Sequence, residues 1–205
     1  MALDFSLKLD WNALLSVRLR WGHFVSSTYR ETDIEVVRYR EDGPLRDDTV
    51  VRILRGSSCR TGFSLFDRWG AALQFPYYFG YNMNAFYDCI RDLGWLRAKH
   101  YVLVITEANR LLGDEDDRDF AGFLSVLEDA ARDWACPAPL NESTPEIRAR
   151  YGRGAVSFHV LFQSTPDHSA EMIRRYEAAR YTFDTLVLEP TPLSSEGANG
   201  NGRAV

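Results

Sequence analysis

The sequence predicts an α/β domain: a small parallel sheet flanked by helices. Three observations carry that expectation. Thr49 to Leu54 and Ala155 to Phe162 are short stretches rich in β-branched and aliphatic residues. Between them lies Tyr101-Val102-Leu103-Val104-Ile105, a continuous apolar run of the kind expected for a strand covered on both faces. The segments separating these three runs carry apolar residues at helical spacing. The resulting order, β-αα-β-α-β, calls for right-handed crossovers and therefore parallel strands.

The elements can be justified in chain order. The stretch to residue 48 reads as an N-terminal extension with β structure of its own. In it Val17, Leu19 and Trp21 alternate with arginines, and Asp33 to Arg40 is strand-like around Ile34, Val36 and Val37. Glu41-Asp42-Gly43-Pro44 punctuates this stretch as a turn. After the strand at Thr49 and a Gly-Ser loop at Gly56, a helix is predicted from Phe63 to about Gln74, with Leu65, Phe66, Trp69, Ala72 and Leu73 on its apolar face. Phe75-Pro76 ends it, because the residue before proline disfavours the α region. A second helix runs from about Asn82 to Leu93. A third follows the central strand, with Phe120, Phe123, Leu124, Leu127, Ala131 and Trp134 in helical register. The loop from about Cys136 to Gly154 is long for a compact domain. Ser169 to Tyr181 reads as one more helix and Thr182 to Leu188 as another strand. Pro190 to Val205, rich in Pro, Ser, Gly and Asn, has little to bury and is expected to be disordered. The division is therefore 1–48, 49–162, 163–189 (a helix and strand packing on the domain) and 190–205.

Composition narrows the function classes. The chain has 205 residues, 45% hydrophobic and 26% charged, enough apolar material for a sizeable core. A net charge of -5 argues against direct binding of nucleic acid and permits a basic protein partner. The start, Met1-Ala2-Leu3-Asp4-Phe5, lacks the pattern of a secretory signal, and no apolar run approaches the roughly 20 residues that span a bilayer. Three widely spaced cysteines, Cys59, Cys89 and Cys136, suggest reduced thiols, and a cytoplasmic location is expected. His23, His100, His159 and His168 are scattered without metal-ligand spacing, so no metal or cofactor is expected. His159, in a strand, reads as a core residue.

Phe75-Pro76-Tyr77-Tyr78-Phe79-Gly80-Tyr81-Asn82-Met83-Asn84-Ala85-Phe86-Tyr87-Asp88-Cys89-Ile90 is the most informative segment. Pro76 and Gly80 bracket an aromatic loop in which Gly80 is free to take a positive φ. Asn82 is a good N-cap. Within the helix, Met83, Phe86, Tyr87 and Ile90 fall on the face read as core, and Asn84, Asp88 and Asp92 stack on the opposite one. Tyr78 and Tyr81 precede that polar stripe. Aromatic groups beside a central charge, displayed on a rigid element, are what protein-binding hot spots use. Phe79 is the aromatic most suited to the core. Cys89 reads as a half-buried small apolar residue and Cys59 as a loop residue.

Pro76, Tyr78-Phe79, Gly80, Asn82, Ala85 and Asp88-Cys89 together give a segment that resembles the barstar family of barnase inhibitors. Cys59-Arg60-Thr61, Leu65-Phe66 and Ala72-Leu73 are similar to that family too, and the resemblance covers about residues 49 to 162. It implies a three-stranded parallel sheet flanked by helices. It also implies a non-catalytic protein that inhibits a ribonuclease, as an antitoxin or immunity protein, through the second helix and the loop before it. Carried over by position, Asp88 takes the place of the carboxylate that enters the enzyme's phosphate site, and Tyr78, Asn82 and Tyr87 match positions that touch the enzyme. Asn84 stands where the family has a second carboxylate, so one attractive charge is missing. No clear match appears for a further acidic contact near the start of the long helix.

Two other readings stay open beside that one. A small hydrolase could use the Ser57-Ser58-Cys59 loop, given a histidine near Cys59 and an orienting carboxylate. A non-inhibitory interaction module could keep the fold and change partner. The run Asp114-Glu115-Asp116-Asp117 can steer a cationic partner, but it precedes a helix, where carboxylates stabilise the N-terminus.

Overall fold

Strands form where the apolar runs lie, and helices where the spacing turns to three and four. The structure, a computed structural model, describes residues 21–27, 48–136 and 154–187. Among them the order is β1 (Gly22–Ser26), β2 (Thr49–Arg55), α1 (Gly62–Leu73), α2 (Met83–Asp92), β3 (His100–Thr106), α3 (Asp117–Ala135), β4 (Ser157–Ser164), α4 (Pro166–Ala178) and β5 (Asp184–Val187). Short 3-10 turns at Gly56–Ser58 and Ala108–Arg110 follow β2 and β3.

The strands make one sheet in the order β2-β3-β4-β1-β5, and every pairing is parallel. Ile53 lies opposite Val104, Leu103 opposite Val160, and Phe24 opposite Phe162. The three strands expected between residues 49 and 162 are adjacent, and two more extend the sheet beyond β4. One of these, β1, comes from the stretch read as an extension; it lies inside the sheet, between β4 and β5.

The local reasons are specific. Thr61 caps α1 in a reciprocal box: its Oγ1 accepts from Ser64 N at 3.2 Å, and Ser64 Oγ accepts from Thr61 N at 3.0 Å. Asp116 caps α3, accepting from Asp119 N at 2.9 Å, with Asp117 and Asp119 in the first turn. Helix α4 begins at Pro166, three residues before the expected Ser169, because proline is well suited to a first helical position. Strand β1 begins one residue after Trp21, so the predicted alternation ends where the strand starts. Its first residue, Gly22, is required by packing: an added Cβ would lie 2.5 Å from the Phe183 ring. Residues 17–20, the strand expected at 33–40, the turn at 41–44, the loop at 137–153 and the C-terminal stretch at 190–205 lie outside the described residues.

The four helices among the described residues contribute to one continuous core on one sheet face. Phe24, Leu54, Tyr101, Leu103, Ile105, Phe158, Val160 and Phe162 project into it. Trp69 of α1, Phe86 of α2 and Phe123 of α3 meet edge-on or tilted at 5.3–5.7 Å between centroids. Tyr176 of α4 meets Phe24, Phe120 and Phe162 at 4.8–5.2 Å. Val25, Val51, Val102, Val104 and Leu161, on the opposite sheet face, are buried as well. His159 is also buried on that side, where its Nδ1 lies 3.4 Å from His23 Nε2. Two tryptophans finish the first two helices. Trp95 Nε1 donates to Leu73 O at 2.9 Å and Trp134 Nε1 to Ile90 O at 3.0 Å, satisfying carbonyls that the helix ends leave over.

Candidate functional site

The loop from Pro76 to Tyr81 and helix α2 are built from the core outward. Phe79 is buried against Phe66, Phe75 and Tyr81, and its amide closes a turn on Pro76 O at 2.9 Å. Phe79 anchors the loop, and its neighbours Tyr77 and Tyr78 are turned out, 100% and 65% exposed. Asn82 then does two jobs at once. Its Oδ1 accepts from Ala85 N, capping α2, and its Nδ2 donates to Gly80 O, both at 3.0 Å. Gly80 does not take the positive φ expected of it. That conformation falls on Tyr81, at φ 49°. An added Cβ at position 80 would lie 2.9 Å from Asn82 Nδ2, so a larger residue there would press on the capping side chain.

Helix α2 buries Phe86, Cys89 and Ile90 and exposes Asn84 and Asp88. Asp88 makes no ion pair or hydrogen bond among the described residues. Two of the expected positions on this helix need correction. Tyr87, placed on the core face by helical spacing, is half-exposed, and the Arg91 guanidinium sits 4.5 Å from its ring centroid. Arg91 is in turn paired with Asp133 of α3, which pins that edge of α2. Cys89 is buried outright, and burial, reinforced by the charges of Asp88 and Asp92, pushes its thiol up to about 11.

Of the five expected contact residues, Tyr78, Asn82, Asn84 and Asp88 are exposed, and Tyr87 borders them half-exposed. Sequence reasoning missed Phe63. It is the second residue of α1, 72% exposed, and its ring stacks on Tyr81 with centroids 5.9 Å apart. The signal was present: Phe63 falls off the stripe of Leu65, Phe66, Trp69 and Leu73.

The acidic run is engaged in structure. Arg60 Nε donates to Asp114 Oδ2 at 2.8 Å, and its second nitrogen reaches Asp114 Oδ1. That hydrogen bond and the arginine's charge hold the Asp114 carboxyl below its ordinary range. Glu115 Oε1 accepts from Gly62 N at 2.7 Å at the start of α1, and Asp116 caps α3.

Residues 49–163 match the family model described as Barstar (barnase inhibitor). The chain belongs to the barstar family. The barstar match runs from the start of β2 into the end of β4 and contains α1, α2 and α3, whereas β1, α4 and β5 lie outside it. No curated protein matches the chain.

The barstar segment also contains the Ser57-Ser58-Cys59 loop. Ser57 Oγ donates to Glu107 Oε2 across the ends of β2 and β3. Cys59 lies on the loop between the 3-10 turn and α1, as expected, but is fully buried, and burial pushes its thiol up to about 11, the opposite of what a nucleophile needs. His100 contacts Ser157, His168 contacts Glu171, and His23 contacts His159; none of these contacts involves Cys59. Among the described residues no group of three His, Cys, Asp or Glu could hold a metal ion, and no helix is long and apolar enough to cross a membrane.

Proposed function

We propose that this protein inhibits a ribonuclease, as an antitoxin or immunity protein, by docking α2 and the loop before it into the enzyme's cationic active site. One observation carries the reading: Asp88, in the segment shared with barnase inhibitors, is an exposed carboxylate without a partner among the described residues. A nuclease site concentrates positive charge to hold phosphate. A carboxylate entering it replaces the phosphate and accepts charge-assisted hydrogen bonds. At 4 Å and an effective dielectric of 20 one such contact is worth about 4 kcal/mol before desolvation. Desolvation removes much of that, so shape complementarity from Tyr78, Asn82, Asn84 and Tyr87 supplies the remainder. The inhibitor needs no catalysis and no cofactor, and in this reading it acts in the cytoplasm on a protein, touching neither nucleic acid nor membrane.

The test is co-expression with barnase and with nuclease toxins encoded beside this chain, scored by rescue of growth. Rescue by the wild type and its loss in Asp88→Ala is the expected result. Rescue that survives Asp88→Ala overturns the docking mode. Asn84, in place of the family's second carboxylate, favours a second reading, an interaction module with a different partner. That reading gains if no nuclease is inhibited while Asp88→Ala still abolishes binding to a partner recovered by cross-linking.

A further inference from the structure

Among the described residues, the large apolar side chains left exposed are Phe63, Tyr77, Tyr78 and Tyr81. They gather where the start of α1 meets the loop before α2. Tyr77 and Tyr78 meet edge-on at 5.6 Å, and Phe63 stacks on Tyr81 with planes 21° apart. Tyr81 rests on the buried Phe79 at 5.0 Å, so the stack has a rigid backing. It is also held at φ 49°, a left-handed conformation that non-glycine residues seldom adopt. Local strain of this kind persists where the surroundings over-determine it, and it gathers at functional positions.

A charge accompanies the stack. Asp67 lies four residues after Phe63, hence on the same face of α1. It is exposed and has no hydrogen bond or ion pair among the described residues. The adjacent Arg68 acts on the Cys59 thiol, which its charge lowers against burial. An aromatic plane with a carboxylate one turn away fits a guanidinium, which stacks on π faces and donates to carboxylates in one planar geometry. An ammonium has no plane to stack.

We propose that Phe63, Tyr81 and Asp67 form a second contact of the docking face, one that receives an arginine side chain of the protein partner. This rests on the reading that α2 docks on a basic nuclease. It also shifts to α1 some of the attraction that Asn84 cannot supply on α2. The occupant is a cation because Asp67 of α1 and Asp88 of α2, on the two helices that adjoin the patch, are both exposed and without an ion pair among the described residues, and it is an arginine because a guanidinium also stacks on the aromatic plane.

The experiment titrates the full-length, isotopically labelled protein with a hexa-arginine peptide and, separately, hexa-lysine, following amide shifts at low salt. Hexa-arginine is expected to move Phe63, Asp67 and Tyr81 and to bind about three-fold or more tighter than hexa-lysine. Phe63→Ala and Asp67→Asn should each weaken hexa-arginine about three-fold or more, with hexa-lysine little changed by Phe63→Ala. Shifts confined to residues 84–92, or equal binding of the two peptides, overturn the proposal. So does sedimentation showing a dimer of the wild type that Phe63→Ala dissociates, because the patch then belongs to a second copy of this chain. Failure of the α2 reading looks different: inhibition that survives Asp88→Ala leaves the peptide result untouched.

Discussion

Asn82 holds the candidate site in shape with one side chain, and its two hydrogen bonds can be separated. Asn82→Ala loses both and should lower stability by about 1 kcal/mol in urea unfolding. Asn82→Asp keeps an acceptor for Ala85 N but has no donor for Gly80 O. Its stability should fall between those of wild type and Asn82→Ala, because an oxygen now faces Gly80 O, and the amide resonance of Tyr81, whose N–H shares a peptide group with that carbonyl, should shift. The cysteines give a second residue-scale test. Burial pushes both Cys59 and Cys89 up to about 11, and Cys136 is exposed. At pH 8 a thiol reagent should titrate Cys136 in the native state and the other two only after unfolding. A thiol with a raised folded pKa contributes stability that is present in full below its unfolded value near 9 and is lost as pH climbs through its folded value. Stability should therefore fall between about pH 9 and 11, and Cys59→Ala should flatten that fall. Residue identities made part of this legible beforehand. Asn82 as a cap and Phe79 as an anchor follow from side-chain chemistry alone. The positive φ at Tyr81 did not, because it depends on where Phe63 and Phe79 place the ring, and helical spacing could not tell that Arg91 would lie over Tyr87.

At the scale of elements, α2 is positioned by Phe86, which meets Phe66, Trp69, Phe75 and Phe123. Phe86→Ala should cost about 3–5 kcal/mol and loosen α2, read as a lower urea midpoint and lost protection of the α2 amides. Gly56 controls the turn from β2 toward α1. An added Cβ would lie 2.4 Å from Glu107 O, a backbone atom that cannot rotate away. Gly56→Ala should destabilise by about 1–3 kcal/mol or more, measured the same way. The helices and the strands β2, β3 and β4 were legible because periodicity reports directly on which side is buried. Tyr101-Val102-Leu103-Val104-Ile105, read as covered on both faces, is buried throughout. The extent of β1 was not legible. Glycine is a poor strand former, and only the close approach of Phe183 explains Gly22 at its start.

For the whole molecule, the barstar match and the sheet have different limits. Phe24 of β1, Met172 and Tyr176 of α4, and Phe183 just before β5 are buried in the same core as α3. A fragment of residues 49–163 should thus be far less stable than the full chain, with exposed apolar surface along β4. Dye binding and a lowered unfolding midpoint would report it; a fragment as stable as the full chain would show that the two outer strands are dispensable. The site's place and the parallel β2-β3-β4 arrangement were legible, from a local run of residues and from the element order, whereas the pairing of β1 with β4, strands far apart in the chain, leaves no local trace in the sequence. That separation bears on how the molecule is made. His23 and His159 touch across 136 positions, so β1, once it has left the ribosome, finds its neighbour β4 only when most of the polypeptide has followed. Until then its apolar residues have no sheet to join, and assembly waits on the slow closure of a very long loop.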